Sequence, residues 1–422
     1  MDTTKFELVA IDKLIPYARN ARTHSPEQIR QLRSSLREFG FVSPAVIDTN
    51  YTILVGHGRV AAAREEGYTS VPCVFAENLT DAQKRAYILA DNRLALNAGW
   101  DEELLTVEIA DLDADAFDLS LLGFDDDEIL SLLDVSEDTV KEDEFDEAAE
   151  LGEAPITREG DIWHLGKHKL ICADATDPET YQRLLGDTKV NLVCTDAPYF
   201  VDLDSASGKI KNDNLSDKEA YTFLMKVFSN FKNVMAKDAS IYEFYATSKS
   251  RIFFDAFDDA GFKLGAGLIW RKERAPLMRT DWKFNFEPIM FGWQKDGKHK
   301  WYGDQKQKAC FDFDGIKNSK TEGHGHPSSK PVALIAHLIK QSTQTNALVL
   351  DGFLGSASTL IAAHELGRIC YGIEIEPKYC DVAAARYAAL TGTTDDIYCI
   401  RDGETLRYQD LLDTRAKEAK DD

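Results

Sequence analysis

Two strand-length apolar runs that each stop on an acid constrain this chain more than any other feature. Val190-Asn191-Leu192-Val193-Cys194-Thr195 ends at Asp196 and continues into Ala197, Pro198 and Tyr199. Further on, Asn346-Ala347-Leu348-Val349-Leu350 ends at Asp351 and enters the small-residue turn Gly352-Phe353-Leu354-Gly355-Ser356-Ala357-Ser358. Runs that lack polar alternation read as strands buried on both faces of a parallel sheet. Ligands of open α/β sheets bind beyond the carboxyl ends of the strands. Acids at those ends are therefore candidate site residues. The second run leads into a helix expected over 359–366 and a strand over 369–375 that carries Glu374. This is a nucleotide-type βαβ unit, whose tight turn admits a ligand to the backbone and whose acid, about twenty residues on, can bind ribose hydroxyls.

Further strands are expected at 169–174, ending on Asp174, and at 240–246, 264–270 and 287–293. Seven strands with helices between most of them predict an α/β fold built on a mostly parallel, doubly wound, Rossmann-like sheet. The interval from Lys263 to Lys308 is basic and rich in aromatic rings, with eleven Lys and Arg against five Asp and Glu. Strand packing accounts for many of the rings. Arg271, Lys272, Arg274, Arg279 and Lys283 lie mostly outside the strands and fit a DNA-reading surface. A net charge of −23 does not exclude such a surface. Of 72 acids and 49 bases, 23 acids and only two bases fall between Asp101 and Glu159, so one segment sets the sign.

That segment separates two expected domains. Residues 1–100 read as a small α/β unit. Within it Ser25-Pro26 starts a helix and Ile29, Leu32, Leu36 and Phe39 share one face. Arg30, Arg33 and Arg37 form a second stripe, either a solvated face or a phosphate contact. Thr52 to Val55 leads into Gly56-His57-Gly58-Arg59 and a second helix. A glycine turn before a helix can hold an anion with the arginine as clamp, or simply permit the turn. Residues 101–155 read as an acidic, partly helical linker. Residues 156–400 form the larger domain, with DNA recognition at about 200–325, and 401–422 a charged tail. Seven scattered cysteines without a C-x-x-C pair fit a reducing compartment and give no metal site. No apolar run reaches membrane-spanning length.

On Asp196-Ala197-Pro198-Tyr199, Asp351 to Ala357 and His326-Pro327-Ser328-Ser329-Lys330-Pro331, the chain resembles the amino-group DNA methyltransferases that use S-adenosylmethionine. Those enzymes carry D/N/S-P-P-Y/F/W, D-P-F-x-G-S-G and H-P-T-x-K-P motifs. The catalytic motif comes first here, which resembles the permuted β order of phage and prophage adenine methylases. Gly56 to Arg59 is similar to the G-x-x-R nucleotide box of ParB/sulfiredoxin-like domains. The resemblance implies a cytoplasmic protein of a bacterium or phage-infected host that methylates adenine N6 in double-stranded DNA by base flipping, with no metal. It assigns catalysis to Asp196, Ala197, Pro198 and Tyr199. It assigns the cofactor to Asp174, Lys330, Asp351, Phe353, Gly355 and Glu374, and a nucleotide to the N-terminal domain; a homodimer stays open. Four departures stand out: Ala197 and Gly352 each replace a proline, Leu354 a glycine, and Ala357 the second glycine of G-S-G. Cytosine N4 as acceptor, or a nucleotide-gated DNA-binding protein with a degenerate methylase half, are the alternatives. A dinucleotide-dependent oxidoreductase ranks last, because no G-x-G-x-x-G follows an early strand.

Overall fold

The computed structural model describes residues 6–133, 140, 142–143, 145–201, 204–205, 208–209, 212–272, 281–313 and 330–421. These fall into two compact units, Met1–Val135 and Ser136–Asp422.

The first unit holds β1 (Phe6–Ala10), α1 (Pro26–Phe39), β2 (Ala45–Ile47), β3 (Ile53–Val55), α2 (His57–Glu65), β4 (Ser70–Phe75), α3 (Asp81–Leu94), α4 (Glu102–Ala114) and α5 (Asp126–Leu133). Its four-stranded sheet has the order β1-β4-β2-β3. Local chemistry sets the helix ends. Ser25 accepts from the Gln28 N–H with Pro26 in the first turn, and Thr80 with Gln83 closes a capping box. Leu36 of α1 is buried among Val9, Ile47, Val60 and Val71.

The acidic segment is not a separate solvated linker. It is shared between the two units. Ile109 of α4 and Ile129 of α5 are buried, and the Phe117 ring stacks on Phe39 at 6.1 Å. The apolar positions of these helices outweigh their charge once a neighbouring surface is available to cover them.

The second unit contains α6 (Glu147–Leu151), β5 (Ile162–Leu165), β6 (His168–Cys172), α7 (Pro178–Leu185), β7 (Val190–Thr195), the two-residue pair β8 (Asp204–Ser205) and β9 (Gly208–Lys209), α8 (Asp217–Val234), β10 (Met235–Phe244), α9 (Ser250–Asp259), β11 (Phe262–Arg271), β12 (Phe286–Gln294) and β13 (Cys310–Asp312). It continues with α10 (Val332–Ser342), β14 (Leu348–Asp351), α11 (Ser358–Glu365), β15 (Ile369–Glu374), α12 (Pro377–Thr391), β16 (Ile397–Arg401), β17 (Glu404–Arg407) and α13 (Tyr408–Asp421). Its sheet has eleven strands in the order β13-β11-β12-β10-β7-β14-β15-β6-β5-β16-β17.

The central five strands, β10-β7-β14-β15-β6, are all parallel. They are the apolar runs, buried on both faces by two clusters of side chains. Antiparallel pairs flank them: β12 turns back along β10, and β5 along β6. All seven expected strands are present, and four short ones at the margins join them. The expected charged tail also belongs to the fold. Tyr408 is buried with its ring edge-on to Trp163 at 5.7 Å, and Arg415 pairs with Glu150 at 2.7 Å. No helix of the described residues is long and apolar enough to cross a membrane.

Candidate active site at the carboxyl ends of the parallel strands

Each of the five parallel strands brings an acid to the same edge. Along the sheet these are Glu243 near the end of β10, then Asp196, Asp351, Glu374 and Asp174 beyond or at the ends of β7, β14, β15 and β6. The chain leaves β14 toward β15 on one side and β7 toward β10 on the other. The crevice between the β7 and β14 tips is therefore the topological switch point, where ligands of open α/β sheets bind.

The two tips are tied together. Thr195 Oγ1 donates to Asp351 Oδ1 at 2.7 Å and accepts from the Gly352 N–H at 3.1 Å. Phe353 N–H also donates to Asp351 Oδ1, at 3.0 Å. Burial pushes the Asp351 carboxyl up to about 6 despite these donors. Glu374 accepts from Gly355 N–H and Glu376 N–H, both at 2.8 Å, and burial lifts it to about 7. Asp174 is exposed, accepts from Thr176 N–H at 2.8 Å, and lines an open cleft of about 630 Å³ that also includes Phe223. The Phe223 ring lies 6.0 Å from that of Phe353.

Beyond the end of β7, Lys330 is buried and its ammonium pairs with Asp196 Oδ2. It also lies 3.4 Å from Glu287 Oε2 and 5.3 Å from the centre of the Tyr199 ring. Tyr199 donates its hydroxyl proton to Glu287 Oε2 at 3.2 Å. Asp196 thus has one oxygen held by a cation, while Oδ1 is buried and has no hydrogen-bond partner among the described residues. Burial raises the Asp196 carboxyl, with Lys330 opposing and Glu287 adding to the rise. Burial would raise Glu287 too, but Lys330 and Lys272 together hold it below the ordinary carboxylate value. Lys330, expected beside the cofactor, is in contact with Asp196 instead.

The expected DNA-contacting residues are scattered. Arg271 makes two bonds of 2.5 Å to the Asp312 carboxylate. Lys272 pairs with Glu287 and sits over the Trp270 ring, so it belongs to the Asp196 cluster. Lys283 is exposed beside the exposed Trp282. Arg274 and Arg279 lie outside the described residues, as do His326 to Ser329 of the third motif. In the first unit, Gly56 takes φ +94° at the N-cap of α2. His57 Nε2 accepts from Tyr17 N–H at 3.2 Å. Burial lowers the Arg59 guanidinium, with Asp91 opposing.

Family comparisons agree with this layout. The N6/N4 DNA methylase family matches residues 190–385, the ParB-methyltransferase HTH domain 103–159, and the ParB N-terminal domain 1–93. YnaK of Escherichia coli, a ParB-like nuclease domain-containing protein, is 48% identical over 75 residues, which are 18% of this chain and 86% of YnaK. The chain joins a ParB N-terminal domain to an N6/N4 DNA methylase. The type II methyltransferase M.BglII of Bacillus subtilis is 26% identical over 257 residues, 52% of this chain and 69% of that enzyme. Among solved structures, the cytosine-N4-specific PvuII DNA methyltransferase has a TM-score of 0.45 at 15% identity, over 63% of this chain and 95% of its own.

The methylase half accommodates its motif departures in specific ways. Ala357 takes φ +73° at the N-cap of α11, a left-handed conformation that glycine adopts without steric cost. Leu354 is buried against Gly372, where an added Cβ would lie 2.6 Å from Leu354 Cδ2. The leucine thus fills space that a glycine on the next strand leaves open. Arg386 donates to the Ser356 carbonyl at 2.7 Å and is itself held by Asp143 at 2.6 Å, so part of the acidic segment braces the cofactor turn.

Glu243, Glu287, Arg386 and Thr195 are the site residues that the sequence motifs do not include. The first two leave one faint signal, an acid inside an otherwise apolar strand run. Such acids are rarely buried without a task or a partner.

Proposed function

We propose that this protein moves a methyl group from S-adenosylmethionine to the N6 amino group of adenine in double-stranded DNA. The supporting observation is Asp196 Oδ1, a buried acceptor with no partner among the described residues, on an acid whose other oxygen is clamped by Lys330. An amino hydrogen of an extruded base satisfies that acceptor. The Ala197 carbonyl takes the second hydrogen, which turns the nitrogen lone pair toward the donor. The amino group is engaged in pairing within the duplex, so the base must leave the stack. Tyr199 offers the flat surface on which it rests, a contact worth about 1–3 kcal/mol on comparable platforms.

The residues fit the cofactor. A crevice lined by Asp351 and Glu374, both lifted by burial, suits a ligand bearing sulfonium and ammonium charges. Asp351, Phe353 and Gly355 would border its methionine and sugar, Glu374 its ribose hydroxyls, and Asp174 its adenine. When bound, S-adenosylmethionine would supply an electrophilic methyl group for the amino nitrogen that Asp196 and the Ala197 carbonyl hold. Positioning and the Asp196 carboxylate, which stabilises charge developing on nitrogen, supply the acceleration. Exposed Lys283 and Trp282, with Arg274 and Arg279, are assigned to DNA. Gly56 to Arg59 is assigned to a nucleotide phosphate in the first unit.

Labelled cofactor and unmethylated duplex test this reading beside an Asp196→Ala control. The variant should lose about 10³-fold in rate, the scale of removing one preorganised charge-stabilising group. Equal label from both proteins refutes the role of Asp196. Mass spectrometry of the nucleosides should find N6-methyladenine; N4-methylcytosine overturns the choice of acceptor.

A further inference from the structure

The peptide joining Asp196 to Ala197 carries an N–H that a proline in this place would lack. Ala197 is buried, so water cannot satisfy that donor. It donates instead to Glu243 Oε1 at 3.1 Å. Glu243 stands on β10 in register with Thr195, the last residue of β7. It is fully buried, and its Oε2 has no hydrogen-bond partner among the described residues. An acid in such surroundings is costly and needs a reason. Burial pushes its carboxyl well above the ordinary value.

We propose that Glu243 is a positioning residue for methyl transfer: through the Ala197 N–H it fixes the peptide between Asp196 and Ala197, holding from the neighbouring strand the rotation that a proline ring would lock covalently. The proposal rests on the reading of Asp196 to Tyr199 as the catalytic turn. Glu243 touches neither base nor cofactor. It sets the direction of the Asp196 side chain and of the Ala197 carbonyl, the two groups that receive the amino hydrogens. Alanine at 197 and glutamate at 243 are then one device in two places, and each is defective without the other.

A double-mutant cycle tests it in the full chain, with Glu243→Gln, Glu243→Leu, Ala197→Pro and Ala197→Pro/Glu243→Leu. Glutamine keeps an oxygen acceptor for the Ala197 N–H, so its kcat should stay within about threefold of the parent. Glu243→Leu suits a dry site and should melt no lower than the parent. It leaves the Ala197 N–H without a partner, so kcat should fall about 10–100-fold while cofactor KM stays unchanged. Ala197→Pro alone strands the acid, and the double variant should recover most of the lost rate. The proposal is overturned if Glu243→Leu keeps the parental kcat, if glutamine is as damaging as leucine, or if the two substitutions act additively. Thermal melting of the same four proteins reads the coupling without methyl transfer. An active Asp196→Ala control sinks the assignment of the turn, whereas additive melting shifts sink only this pairing.

Discussion

The two units use the same local device with opposite electrostatics. In the first, β3 ends at Gly56, which takes φ +94° and caps α2. In the second, β14 runs through a turn to Ala357, which takes φ +73° and caps α11. Both deliver a left-handed residue and then free helix N–H groups to a ligand edge. Around the first stand His57 and Arg59; around the second stand Asp351 and Glu374. A helix N-terminus carries a partial positive charge. A guanidinium beside it would favour an anion, while buried acids around it would favour a ligand of net positive charge. The turn brings backbone close to a ligand, and the flanking side chains decide its sign.

The largest expected effect separates the two turns by exchange of ligand. Asp351→Ala should weaken S-adenosylmethionine binding by about 100-fold, the loss of a charge-assisted contact in a buried site. Arg59→Ala should leave that affinity untouched and weaken nucleoside triphosphate binding by a comparable factor. Calorimetry with both ligands on both variants checks this, and a crossed effect breaks the comparison.

Acidity sharpens it further. Asp351 and Glu374 keep their protons up to about 6 and about 7, above ordinary values of 3.8 and 4.5. Cofactor affinity should therefore fall as pH drops through this range, by about tenfold per unit between the two values and about 100-fold per unit once both are protonated. The linked stability has the other direction. Raised folded-state values mean that the contribution of these acids is complete below their unfolded values and is lost as pH rises through about 6 and about 7. His57 is opposite in sign: burial lowers it from 6.5, so its contribution is present above that value and lost as pH falls through the lowered one. Melting of the chain across this range, with and without cofactor, reads all three. A cofactor affinity that is flat with pH rejects the acidic-pocket account.

The smallest effect concerns the caps themselves. Ala357→Gly should stabilise the second unit by about 0.5–1 kcal/mol, because relief of left-handed strain outweighs the entropy glycine adds to the unfolded chain. Gly56→Ala should destabilise the first by about 1 kcal/mol, through strain alone, since its new Cβ would meet Ala45 only at 3.5 Å. Chemical denaturation of each variant measures both.

Much of this was legible in the residue order. Apolar runs of strand length forced buried parallel strands, and a βαβ unit fixed where Asp351 and Glu374 sit relative to the turn between them. Asp196 at the end of one such run belonged to the ligand edge for the same reason. These inferences rest on short-range geometry, where side-chain alternation and turn chemistry act within a few residues. The margins were harder. The short strands β5, β13, β16 and β17 carry weak local signals and pair only because an edge is already there. Helix α13 was hidden by its charge, although Tyr408 is buried against Trp163.

The sequence by itself determined which strands are central and which acids terminate them, since burial on two faces demands an uninterrupted apolar run. Only the tertiary structure decided that Thr195 would bridge to Asp351, that Lys330 would lie on Asp196, and that Glu243 would receive the Ala197 N–H. Those partners stand between 46 and 156 positions apart in the chain. No local rule links them; strand order and register in the open sheet bring them within a hydrogen bond's reach.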